Sequence, residues 1–167
     1  MIFRLINGLG RVTLRVKVVD IRKAEGRDIP WLMSQLRDFY KFFGETRIPL
    51  FPDEARAVLK LKYLVGDHLV LIGEKPGVGP IGLIGGLVTP HLFNEDILTL
   101  SELFWWVPES FRRSSVGLRL LDAFLEWGKE HVDWITFSLE HNSPVREETL
   151  ARRGFKQRER AYLLEVE

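Results

Sequence analysis

The chain has 167 residues, a formal net charge of +1 and no cysteine. That length predicts one domain, residues 1–167, with room for a hydrophobic core. Near-neutral charge argues against nucleic-acid or anionic-membrane partners, and the lack of cysteine removes disulfides, thiolate nucleophiles and Cys-ligated metals.

Residues 1–14 are apolar with two arginines, Arg4 and Arg11, but lack the continuous apolar run and cleavage site of a secretory signal. No stretch reaches the ~20 apolar residues of a membrane span, so a soluble, cytoplasmic protein is expected. Residues 15–21 alternate charged and β-branched side chains, the pattern of a half-buried strand. Asp28 suits a helix N-cap and Pro30 a first turn. Trp31, Leu32, Leu36, Phe39, Tyr40 and Phe43 then recur at helical spacing. A second helix is expected over 53–64 after a loop with two prolines.

Residues 68–73 and 81–89 read as antiparallel strands joined by a turn at 75–80, and 97–107 as the next strand after a polar connection at 90–96. A helix over 115–131 presents Gly117, Leu120, Leu121, Phe124, Leu125 and Gly128 on one face. A strand at 134–139, a short helix at 144–153 and a strand at 161–166 complete the order. Strands broken up by helices in this way imply a mixed sheet covered on both faces.

Gly77, Gly79 and Gly82 fit the dinucleotide pattern G-x-G-x-x-G. That pattern must open a helix, whereas here a strand-like segment with Gly85 and Gly86 follows. A hairpin is expected instead, its later glycines admitting another backbone or a ligand. The four histidines, His68, His91, His131 and His141, have no metal-ligand spacing, and no metal is expected. Glu102 interrupts an otherwise apolar strand. Either it faces solvent by alternation, or it is buried and has a partner or a chemical role.

The loop before the 115–131 helix combines Arg112 and Arg113 with small residues at a helix start. There, unpaired N–H groups and the helix dipole favour a phosphate or pyrophosphate. Arg112-x-x-Ser115-x-Gly117 resembles the Arg/Gln-x-x-Gly-x-Gly/Ala loop of the GCN5-related N-acetyltransferases (GNAT), with Ser115 where glycine is commoner. Asn142, the short helix and Gly154-Phe155 resemble the closing asparagine, helix and Gly-Phe pair of that family.

The resemblance implies an α/β, GNAT-like acyl-CoA N-acyltransferase fold: a mixed, mostly antiparallel sheet, helices on both faces and splayed central strands. It implies acetyl-CoA as acyl donor, lying between the strands at 97–107 and 134–139. Its pyrophosphate would rest on the amides of Arg113, Ser114, Ser115, Val116, Gly117 and Leu118, with Arg112 and Arg113 adding charge and Asn142 fixing the cofactor. The backbone of Trp106 and Val107 would pair with the pantetheine arm and steady the oxyanion, and Glu102 would act as general base. A primary amine would attack the thioester directly, and the partner set allows a homodimer. Leu150 stands where the family often has a tyrosine that protonates the departing thiolate. Tyr162 and Ser143 are candidate substitutes. The alternatives are a non-catalytic CoA-binding member of the fold and an interaction protein with an aromatic surface.

Overall fold

The computed structural model describes residues 19–43, 53–140, 143–160, 162 and 164. Strand β1 (Asp20–Lys23) leads through a 3-10 turn (Gly26–Asp28) into helix α1 (Ile29–Phe43). Helix α2 (Glu54–Asp67) follows, then strands β2 (Leu69–Lys75), β3 (Gly79–His91) and β4 (Asn94–Trp106). A second 3-10 turn (Glu109–Phe111), helix α3 (Val116–His131), strand β5 (Trp134–Thr136) and helix α4 (Glu147–Ala151) complete it. The sheet order is β1-β2-β3-β4-β5, antiparallel throughout except for the parallel pair β4–β5.

Both faces of the sheet are covered, which is why β2 and β3 are apolar at successive positions instead of alternating with polar ones. On β2, Val70 and Ile72 join Leu32, Leu36 and Leu61 under α1 and α2, while Leu69 and Leu71 join Leu120, Leu121 and Phe124 of α3. Full burial of each such side chain contributes on the order of 1.5–3 kcal/mol.

Period-two alternation breaks in β4. Gly85 faces Phe104 while Gly86 faces Glu102, so Leu103 is an extra residue, a β-bulge. Leu100 therefore packs under α3, whereas Phe104 and Trp106 pack under α1 and α2. An unbroken strand would have sent all three to one face. The glycines opposite serve this switch. The Phe104 ring lies where a Cβ on Gly85 would sit, and a Cβ on Gly86 would come 2.8 Å from Leu100 Cδ1 and from Phe124 Cζ. A core side chain fills the room at Gly85, whereas at Gly86 the neighbouring backbone comes close as well, Ser101 O lying 2.9 Å from the Cβ position.

The Gly77–Gly82 segment forms the β2–β3 hairpin, with Gly77 and Gly79 at φ of 81° and 97°. Most of the expected polar connection at 90–96 is strand. His91 pairs with Asn94 across a tight turn at Leu92 and Phe93; the His91 ring accepts from the Phe93 amide, and Asn94 Oδ1 from the Asp96 amide. Helix α2 continues past 64 to Asp67, and β5 stops at Thr136, not at 139. Among the described residues the first strand is Asp20–Lys23, which runs two residues past its expected end at 21; residues 15–18 and most of the expected strand at 161–166 fall outside the described residues. No helix among the described residues is long and apolar enough to cross a membrane.

Asp28 does not cap α1. It ends the 3-10 turn, is 6% exposed, and accepts two hydrogen bonds from the Arg22 guanidinium at 2.7 and 2.9 Å and one from the Glu25 amide at 2.8 Å. Arg22 also reaches Glu74 at 2.6 Å, so one side chain of β1 fastens both the entry to α1 and the neighbouring strand. The Arg22 hydrogen bonds hold the Asp28 carboxyl below its usual value against the opposing effect of burial. Asp28→Asn should cost about 2–4 kcal/mol in denaturant unfolding. The wild-type advantage should be full above the ordinary aspartate value and disappear as pH falls through the lowered folded-state value.

Candidate active site in the gap between two strands

Ser101 of β4 pairs with Thr136 of β5, and the ladder ends there. The Thr136 hydroxyl donates to Ser101 Oγ at 3.0 Å. Past this apex β4 continues to Trp106, while residues 137–140 run without strand pairing. The gap between them opens into a cleft of about 680 Å³.

Glu102 is the first residue beyond the apex and lines this cleft. It is half-buried, and its carboxylate accepts a hydrogen bond from the Ser138 amide. Burial pushes its carboxyl up to about 8; the Ser138 hydrogen bond opposes the shift and the charge of Glu140 adds to it. Tyr40 on α1 responds to the same surroundings: burial first, then the charges of Glu102 and Glu140, raise its hydroxyl. A carboxyl that exchanges its proton near neutral pH, at the head of a cleft, is suited to general acid–base chemistry.

The other end of the cleft is formed by the start of α3. Ser115 places no side-chain hydrogen bond on this helix end, and the first helical bond runs from the Arg119 amide to Ser115 O. The amides of Gly117 and Leu118 precede that bond in a first turn whose N–H groups have no intrahelical acceptor. Ser114 Oγ donates to Phe111 O at 2.7 Å and receives only a long contact, 3.5 Å, from the Val116 amide. A Cβ at Gly117 would meet nothing closer than Val107 Cγ2 at 3.5 Å, so glycine here leaves space on the cleft side without being needed for packing. Trp105 lies below, and its buried Nε1 has no hydrogen-bond partner among the described residues.

Glu102, Trp106, Val107, Arg112, Ser114, Gly117 and Leu118 thus line one cleft. Arg113 and Ser115 are exposed on the loop, and Val116 is buried in the α3 core. Asn142 lies outside the described residues. Arg112 takes a different posture from a free phosphate-binding arginine: its Nε donates to Val107 O at 3.1 Å, and its guanidinium lies over Phe42 and Trp106. Trp106 itself donates from Nε1 to Gln35 at 3.3 Å.

Leu150 is buried in the α3 core and offers no proton. Of the two substitutes considered, Tyr162 is 88% exposed, whereas Ser143 lines the cleft. His91 packs edge-on at the β3–β4 turn against Phe93 and Trp134 and is not part of the cleft lining. Sequence reasoning missed Ser138, Glu140, Arg146 and Thr149, which also line it. A strand expected to run to 139 hides Ser138 as an ordinary ladder residue, and nothing local marks the point where pairing stops.

Free amides, an open glycine cradle and an orphaned indole N–H suit an anionic ligand with an extended arm reaching towards Glu102. No family model matches the sequence, and comparison with curated proteins finds no match. Solved structures do match. A predicted acetyltransferase from Clostridium acetobutylicum, solved with acetyl-CoA, is 16% identical over 89% of this chain and 96% of its own, with a TM-score of 0.68. AAC(6')-Iy in complex with a CoA-S-monomethyl-acetylneamine bisubstrate analogue is 18% identical over 89% and 98%, with a TM-score of 0.66. A transcriptional regulator from Bacillus halodurans is 18% identical over 89% and 99%, with a TM-score of 0.70. The chain has the α/β acyltransferase fold of the GCN5-related N-acetyltransferases.

Titrated by carboxyl-selective NMR or infrared spectroscopy, Glu102 should protonate with a midpoint of about 8. Glu140→Gln should lower that midpoint, because it removes a like charge; a midpoint in the ordinary glutamate range would contradict the burial seen here.

Proposed function

We propose that this chain is an acetyl-CoA-dependent N-acetyltransferase, one catalytic domain over residues 1–167, acting on a primary amine by direct attack. The observation that carries this reading is Glu102, a carboxyl pushed up to about 8 at the apex of a cleft whose far end is an open helix start. The same fold in acetyltransferases solved with acetyl-CoA or a CoA analogue supports it.

In this reading the amides of Arg113, Ser115, Val116, Gly117 and Leu118 receive the pyrophosphate, favoured by the α3 dipole, while the Ser114 amide stays bonded to Phe111 O at 2.9 Å. Arg112 and Asn142 add contacts, and the backbone of Trp106 and Val107, beyond the last β4–β5 pair, offers hydrogen bonds to the arm. The bound donor supplies an activated acyl thioester. Ionised Glu102 takes the proton from the attacking amine, directly or through water, and the Trp106 or Val107 N–H steadies charge on the carbonyl oxygen. Leu150 leaves the departing thiolate without a dedicated acid, which a leaving group with a free-thiol pKa of about 8.5 tolerates. Glu140 at the exposed side of the cleft, with Phe39 as an apolar wall, suits a cationic amine.

Because the base must be ionised, kcat/KM should rise with pH through about 8 and level off above it. Glu102→Gln should lower kcat by roughly 10²–10⁴-fold, remove that limb and leave CoA affinity within about twofold. Gly117→Glu should eliminate CoA binding in calorimetric titration while melting like the wild type, since a Cβ there clashes with nothing. Leu150 favours one second reading, a CoA-binding protein without catalysis. Tight CoA binding with no turnover across an amine panel would establish it.

A further inference from the structure

The cleft contains a cation already held in position before any ligand binds. Cζ of Arg112 lies 4.5 Å from the centre of the Phe42 ring and 4.6 Å from that of Trp106, and the two rings are 5.5 Å apart. Its Nε donates to Val107 O at 3.1 Å. Among the described residues no carboxylate pairs with Arg112. A guanidinium held over aromatic faces keeps N–H groups available; among the described residues Nε is the one donor with an acceptor, which leaves the terminal fork for a ligand. An unrestrained arginine loses rotamer entropy when it binds an anion, and here that ordering has already occurred in the fold.

The members of this clamp come from distant parts of the chain. Trp106 ends β4, Arg112 opens the loop before α3, and Phe42 lies in the last turn of α1. Trp106 is turned towards Phe42 by the bulge at Leu103. Phe42 is 37% exposed, more than a residue kept only for core packing.

We propose that Phe42 is a positioning residue for the coenzyme: by clamping Arg112 against Trp106 it presets the guanidinium fork for an oxygen of the pyrophosphate. Helix α1 thereby takes part in holding the donor, although it lies on the opposite side of the sheet from α3. The inference rests on the coenzyme A reading above.

The test is calorimetric titration of coenzyme A into the wild type, Phe42→Leu, Phe42→Trp, Arg112→Ala, Arg112→Lys and the Phe42→Leu/Arg112→Ala double variant. Arg112→Ala should weaken binding by about tenfold and Phe42→Leu by roughly three- to tenfold. Phe42→Trp should restore wild-type affinity, and Arg112→Lys should behave like the alanine variant, because an ammonium keeps the charge but lacks the planar fork. Phe42→Leu should add nothing when Arg112 is already absent. Equal losses from Phe42→Leu in both backgrounds, or no loss in either, would overturn the proposal. A thermal-unfolding cycle on the same variants without coenzyme separates the two levels of failure. Coupling in melting without coupling in affinity makes the clamp structural only, while no coenzyme binding by the wild type overturns the functional reading itself.

Discussion

Two neighbouring strands stop sharing hydrogen bonds after Ser101 and Thr136, and the molecule is organised around that parting. Backbone N–H and C=O groups inside a protein need partners, so a strand edge released from its neighbour near the core must bond to something else. On the β5 side the Ser138 amide bonds to the Glu102 carboxylate. Beyond that point the opening is filled by no strand of the described chain. An extended ligand with its own donors and acceptors fits such an edge better than a compact one.

The two ends of the gap have opposite electrostatic character. At the apex a carboxyl is desolvated and faces another acid, which raises its proton affinity. At the mouth the open start of α3 and the stacked Arg112 favour negative charge. From Glu102 to Trp106 the bulged strand runs opposite Gly86 to Leu83, about 10 Å at some 3.3 Å per residue, and Val107 and the loop after it extend the separation. A ligand anchored by its charge at the mouth would therefore place a reactive group at Glu102 only through a long arm.

Rigid packing maintains this arrangement. Glycines at 85 and 86 let Phe104, Leu100 and Phe124 close around the bulge from both sides of the sheet. At the far edge, Arg22 joins β1 to β2 and to the turn before α1 through Asp28 and Glu74, which helps hold the helix that supplies Phe39 and Phe42. The bulge reverses the facing of β4, so Trp106 meets α1 while Trp105 remains beside α3. Neighbouring residues on one strand thus serve opposite walls of the cleft.

Much of this was legible in the sequence wherever the physics is local. Helical spacing of Leu120, Leu121 and Phe124, turn chemistry at Gly77 and Gly79, and small residues before α3 are short-range signals, and each lies in the element expected. Glu102 was visible because a carboxylate in an apolar strand needs an explanation. The sequence by itself thus determined the order of elements from β1 to α4, the covered sheet and the place of the helix-start loop, since periodicity and backbone preference act over a few residues. Only the tertiary structure decided where β4 and β5 part, that Leu103 is an extra residue, that Ser138 and Glu140 meet Glu102, and that Phe42 reaches Arg112. Each of these depends on register or contact between segments far apart in the chain, which no local pattern encodes.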